Sequence, residues 1–240
     1  MKKIGIIGAM DIETAALRAK MTGAGGTGSA REIVSGNLKF YEGELEGISA
    51  VVVKSGVGKV NAALCAQRLV LEFGVTHIIN TGIAGAMAHG LGIFDIVVST
   101  DAVYHDMDAT GFGYKPTQIP QMEIYQFPAD KAMITAAEKA FNATAAGKIH
   151  KLVKGRIASG DQFISSNAVK LHIREICSPA CVEMEGAAIA HACWLNKVPF
   201  VIIRCMSDMA EDGEGTTYSF NEKDCAEESA ALVFEMMKSL

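Results

Sequence analysis

The sequence predicts an α/β protein: a three-layer single domain, residues 1–240, with a central mixed, twisted β-sheet flanked by helices. Three observations predict it. Short apolar runs alternate with longer stretches of helical period from one end of the chain to the other. Half of the 240 residues are hydrophobic and only five are proline, which allows a full core with few interruptions. No long linker or internal repeat divides the chain.

KIGIIGA (3–9) reads as the first strand. With two lysines before it, it could mimic an export signal, but the run stops at Asp11, short for such a segment, and no small-residue cleavage site follows. A helix is predicted over 11–21. TGAGGTGSA (22–30) is glycine-rich, yet it lacks the GK[ST] ending of a phosphate loop and follows a helix, so it reads as a flexible connection. LKFYEGEL (38–45) and ISAVVVKS (48–55) form a hairpin across EGELEG (42–47). SGVGK (55–59) then leads into a helix over 60–73. Amides in such a turn can receive an anion, and a plain strand-to-helix turn explains it equally well. The strands THIINTG (76–82), DIVVSTDAVYH (95–105), VKGRIASG (153–160) and PFVIIRCMSD (199–208) follow, with helices over 129–145, 168–176, 186–195 and 221–239.

The bulk numbers exclude several function classes. A formal net charge of -5, with no basic cluster longer than the opening lysine pair, argues against a nucleic-acid surface. No apolar run approaches the ~18 residues of a membrane span. The six cysteines, Cys65, Cys177, Cys181, Cys193, Cys205 and Cys225, form no CxxC pairs and mostly sit in apolar runs, so a reduced, cytoplasmic chain is expected. The six histidines make no HExxH spacing, and neither metal nor cofactor is expected.

What stands out is acidic. In open α/β sheets ligands gather at the carboxyl ends of strands, and Glu13, the pair Glu183 and Glu185, and Asp208 all fall at such ends. Each alone has a bland explanation, as a first-turn helix charge or a cap. If residues 182–185 are extended, alternation places Glu183 and Glu185 on one face, with Met184 on the other. The shared position of these acids marks a candidate site.

Seven blocks, GIIGAMDIE (5–13), SGVGKVNAA (55–63), INTGIAGA (79–86), YHDMDATGFGY (104–114), ASGDQFI (158–164), VEMEGAAIAHAC (182–193) and RCMSD (204–208), closely resemble in order and spacing the 5'-methylthioadenosine/S-adenosylhomocysteine nucleosidases. These are members of a nucleoside phosphorylase-like α/β superfamily. The resemblance runs along the whole chain and implies a hydrolase acting on the bond between adenine N9 and ribose through a ribocation-like transition state.

By that resemblance, Asp208, helped by Ser207, protonates adenine N7, and burial should hold its pKa up. Glu13 orients and deprotonates the attacking water, and Glu185 accepts hydrogen bonds from the ribose hydroxyls over Met184. Glu183 either engages Arg204 or meets a water near the sugar. Adenine lies against Phe163, read by the backbone at Phe163 and Ile164. Met10 and Phe220 are expected at the 5'-thio group, and Phe112 and Ile119 of the loop 109–120 complete a partner's pocket in a homodimer. Ile83 stands where the family commonly has serine, beside Ala84 and Gly85.

Three competitors remain. A phosphorylase would need cationic clamps, and of six arginines only Arg204 lies in a site motif. Glu13 would also repel phosphate by about 4 kcal/mol at ~4 Å and an effective dielectric of ~20. A nucleosidase for futalosine-type nucleosides or 5'-deoxyadenosine would keep the same acids and differ in the 5' pocket. A non-catalytic nucleoside binder would need neither an acid aimed at N7 nor a base opposite it.

Overall fold

The computed structural model describes residues 2–211 and 215–240, and side chains over 2–211 and 221–240. Among these residues ten strands form one sheet: β1 (Lys3–Gly8), β2 (Arg31–Ser35), β3 (Leu38–Leu45), β4 (Ile48–Lys54), β5 (His77–Ala86), β6 (Ile96–Tyr104), β7 (Phe127–Pro128), β8 (Leu152–Ser159), β9 (Cys181–Glu183) and β10 (Phe200–Asp208). The helices are α1 (Asp11–Lys20), α2 (Lys59–Phe73), α3 (Lys131–Ala143), α4 (Asn167–Cys177), α5 (Gly186–Asn196) and α6 (Gly215–Met237).

The sheet is mixed. Its order runs β2-β3-β4-β1-β5-β9-β8-β6-β10, β7 pairs with β6, and β10 pairs with β5 as well. Strands β5, β9, β8, β6 and β10 therefore close into a ring. β1 is parallel to β4 and β5, and β5 to β10, so the carboxyl ends of β1, β5 and β10 lie side by side. β3 and β4 form the expected antiparallel hairpin.

Helices cover both faces, giving three layers. One apolar cluster joins Ala62, Cys65 and Leu69 of α2 and Ala188 and Ile189 of α5 to the sheet. The other joins Leu17 of α1, Met133 and Phe141 of α3 and Leu232 and Val233 of α6 to the opposite face. Strands covered on both sides must be apolar throughout rather than alternating. β10 is buried at every position, and β5 at all but His77.

Three strands escape the sequence reading. β2 is mostly exposed at the sheet edge, β7 has two residues and β9 three. None carries a periodic signal long enough to read. Helix α3 starts later than expected because Asp130 caps it, its side chain accepting the Met133 amide at 2.9 Å. No helix among the described residues is long and apolar enough to cross a membrane.

Candidate active site

Three strand ends bring the acids together. After β1 the chain turns directly into α1, which puts Glu13 in the first helical turn, facing inward and buried. Its Oε2 accepts the amides of Ala9 at 2.6 Å and Met10 at 2.9 Å, and its Oε1 accepts the amide of Ile83 at 3.1 Å. Burial pushes its pKa up, while Arg204 and these amides act the other way. Close approach of β5 requires glycine at 82: a Cβ there would land on Glu13 Oε1 and lie 2.8 Å from Cδ.

Asp208 ends β10, buried, at the point where the β10–β5 register shifts. Its Oδ2 accepts the Ser207 hydroxyl at 2.9 Å and its Oδ1 the Ala210 amide at 2.9 Å. Gly85 opposite admits the carboxyl, since a Cβ there would sit 2.8 Å from Oδ1.

The two glutamates of VEMEG part company. Residues 182–185 are not extended throughout: β9 ends at Glu183, and Glu185 is the N-cap of α5, with φ -132° and ψ -37°. Glu183 pairs with Arg204, accepts the Ser159 hydroxyl and takes the Gly186 amide at 2.8 Å, so it caps α5 from outside. Arg204 also donates to Asn80 Oδ1 at 2.6 Å. It supports the site from beneath rather than lining the cleft. Glu185 accepts the Gly58 amide at 2.8 Å and stands 4.0 Å from Arg204. Burial and the neighbouring Glu183 push its pKa up to about 8. Burial works against the charge on Arg204, but Glu183, Glu13 and Glu185 together outweigh it.

These groups line one cleft of about 110 Å³, with Met10, Val57, Ile83, Phe163 and Met184 as its apolar walls. A smaller hollow of about 30 Å³ adjoins it, shared by Phe163, Ile164, Met184 and Asp208. A wider concavity of about 850 Å³ lies elsewhere, around Trp194 and Pro199 at the start of β10. It holds no convergence of buried acids, so the smaller cleft is the candidate site.

The structure thus brings Glu13, Glu183, Glu185, Asp208, Ser207, Met10, Met184, Phe163, Ile164, Ile83, Ala84 and Gly85 to one place. Phe163 is half-exposed at its mouth and Ile164 buried behind it. Phe112 lies outside this cleft and is 89% exposed. Ile119 is half-buried against the core of its own chain. The side chain of Phe220 lies outside the described residues. Two features were missed in the sequence. Val57 lines the cleft from within SGVGK, with no chemical signal of its own. The group received by that turn is the protein's own Glu185 carboxyl.

Comparison with known proteins identifies the family. Residues 3–240 match the model of the phosphorylase superfamily. A 5'-methylthioadenosine/S-adenosylhomocysteine nucleosidase of Staphylococcus carnosus is 41% identical over 99% of this chain and 100% of that one. The crystal structure of such a nucleosidase from Neisseria meningitidis, in complex with methylthio-immucillin-A, superposes with a TM-score of 0.93 at 37% identity and covers both chains completely. The futalosine hydrolase of Helicobacter pylori superposes at 0.90 with 29% identity, over 100% of this chain and 98% of that one. The chain belongs to the phosphorylase superfamily and, within it, to the 5'-methylthioadenosine/S-adenosylhomocysteine nucleosidases.

Proposed function

We propose that this protein hydrolyses the N-ribosidic bond of 5'-methylthioadenosine and S-adenosylhomocysteine, and of 5'-deoxyadenosine, releasing adenine and the 5'-substituted ribose without a cofactor. The observation that carries the reading is the convergence of Glu13, Glu185 and Asp208 in one buried cleft.

Asp208, steadied by Ser207, gives a proton to adenine N7 as the C1'–N9 bond breaks and its electron pair leaves with the purine. Glu185 accepts hydrogen bonds from the ribose hydroxyls, which favour its ionised form, and that charge offsets the cation developing on the sugar. Glu13, held by three amides, takes a proton from the water that attacks C1' from the other side. Water rather than phosphate fits the cleft. Among the described residues, none that line it is Lys or Arg, and Arg204 is committed to Glu183 and Asn80.

The whole chain, residues 1–240, acts as one domain. The exposed Phe112, together with exposed Val60 and Leu64 on α2, supports a homodimer in which the Phe112 loop covers the partner's 5' pocket. Six free, buried cysteines fit a reducing cytoplasm.

A futalosine-type substrate would use the same three acids. A panel of methylthioadenosine, S-adenosylhomocysteine, 5'-deoxyadenosine, adenosine and futalosine, with release of the free base followed in phosphate-free buffer, decides between them. Fastest turnover on the two thio-nucleosides is expected. Turnover of futalosine alone would overturn the assignment in favour of the second reading.

A further inference from the structure

The SGVGK turn does more than join β4 to α2. Gly58 has φ +96°, a conformation that favours glycine, and this aims its amide at Glu185 Oε1. The next residue grips a different part of the site. The Lys59 amide donates to Asp161 Oδ1 at 2.9 Å, and its ammonium reaches Asp106 Oδ2 at 2.5 Å and Asp161 Oδ2 at 3.6 Å. The Asp161 amide in turn donates to Asp106 Oδ2 at 3.0 Å. Asp106 follows β6, where the loop carrying Phe112 begins, and Asp161 stands two residues before Phe163.

We propose that Lys59 is a positioning residue for purine binding, its ammonium and amide latching the loop that carries Phe163 onto α2 and the end of β6. Ile164 anchors the far side of Phe163 in the apolar core, whereas on the near side exposed Asp161 is held by polar ties to Lys59 and Asp106. The same turn sets Glu185 through Gly58, so the purine wall and the ribose carboxylate are referred to one helix terminus. The latch rests on the contacts alone; what the loop holds rests on the nucleosidase reading.

The test uses Lys59→Met and Asp161→Asn in the full-length protein. Without ligand, amides of residues 160–164 should exchange hydrogen roughly fivefold faster in either variant, the scale of a partly exposed ion pair. The adenine dissociation constant and the KM for methylthioadenosine should rise in step by a similar factor, with kcat changed by less than about twofold. The double variant should lose less than the two single effects combined, because the residues share one network. Unchanged exchange in folded variants would overturn the latch. Faster exchange with unchanged adenine affinity would overturn the positioning role, leaving only a stabilising contact. Wild-type protein that neither binds nor releases adenine would contradict the nucleosidase reading instead, and the exchange comparison would still decide the latch.

Discussion

Glu183 of β9 and Arg204 of β10 form an ion pair whose side chains are 3% and 2% exposed, on the two strands that flank β5. The pair gives the first glutamate of the VEMEG motif a structural reason: it compensates a buried guanidinium and caps α5. Both glutamates border the cleft; the second, Glu185, accepts the Gly58 amide and stands 4.0 Å from Arg204.

A buried charge stripped of its partner is costly. Glu183→Ala should destabilise the protein by about 3–5 kcal/mol in denaturant unfolding, as should Arg204→Met. The double replacement should cost clearly less than the sum, and additivity would show that the two are not coupled.

Glu185 predicts a pH dependence of opposite sign to that of ordinary carboxylates. Its folded pKa is about 8 against an ordinary value of 4.5, so the native state holds a proton that the unfolded chain has lost. The stability it contributes is complete below about 4.5 and is lost as pH rises through about 8, by on the order of a few kcal/mol. Unfolding midpoints of the wild type and Glu185→Gln, compared across that window, should diverge because the variant lacks this decline. Burial pushes Glu13 in the same direction, so a residual slope in Glu185→Gln is expected from it.

Gly82→Ala tests the placement of Glu13 without touching its carboxyl. The new methyl would clash with Glu13 Oε1 and lie 2.8 Å from its Cδ, forcing the carboxyl to shift. The expected result is a folded protein, destabilised by about 1–3 kcal/mol, with turnover reduced about a hundredfold or more by the displaced base. Turnover near wild type would mean that the carboxylate's position is not critical.

In the proposed mechanism Asp208 matters only as far as the leaving group needs a proton. Asp208→Asn should lose about 10²–10⁴-fold on methylthioadenosine and much less on a riboside whose leaving group departs unprotonated. Equal losses on both, measured as kcat, would remove Asp208 from the role of acid.

Much of this was readable from residue order. The apolar runs 3–9, 76–82 and 199–208 read as strands, and Glu13 and Asp208 at the ends of the first and third mark the site, because parallel pairing to the second brings those ends together. What stayed hidden depends on contacts distant in sequence. Nothing in VEMEG says which glutamate meets Arg204; that follows from β9 and β10 both flanking β5. Alternation misled there, because the chain leaves the extended conformation after Glu183. SGVGK looked like a turn because the Glu185 carboxylate it receives lies 127 residues away.

The central claim is that this cleft sends water, not phosphate, to C1'. The most direct measurement is single-turnover cleavage of methylthioadenosine in heavy-oxygen water containing phosphate, by the wild type and by Glu13→Gln, with mass spectrometry of the sugar. The account predicts free methylthioribose carrying heavy oxygen at C1' from the wild type, and about 10²–10⁴-fold slower formation of it by the folded variant. A methylthioribose 1-phosphate, or an undiminished rate in Glu13→Gln, would contradict it.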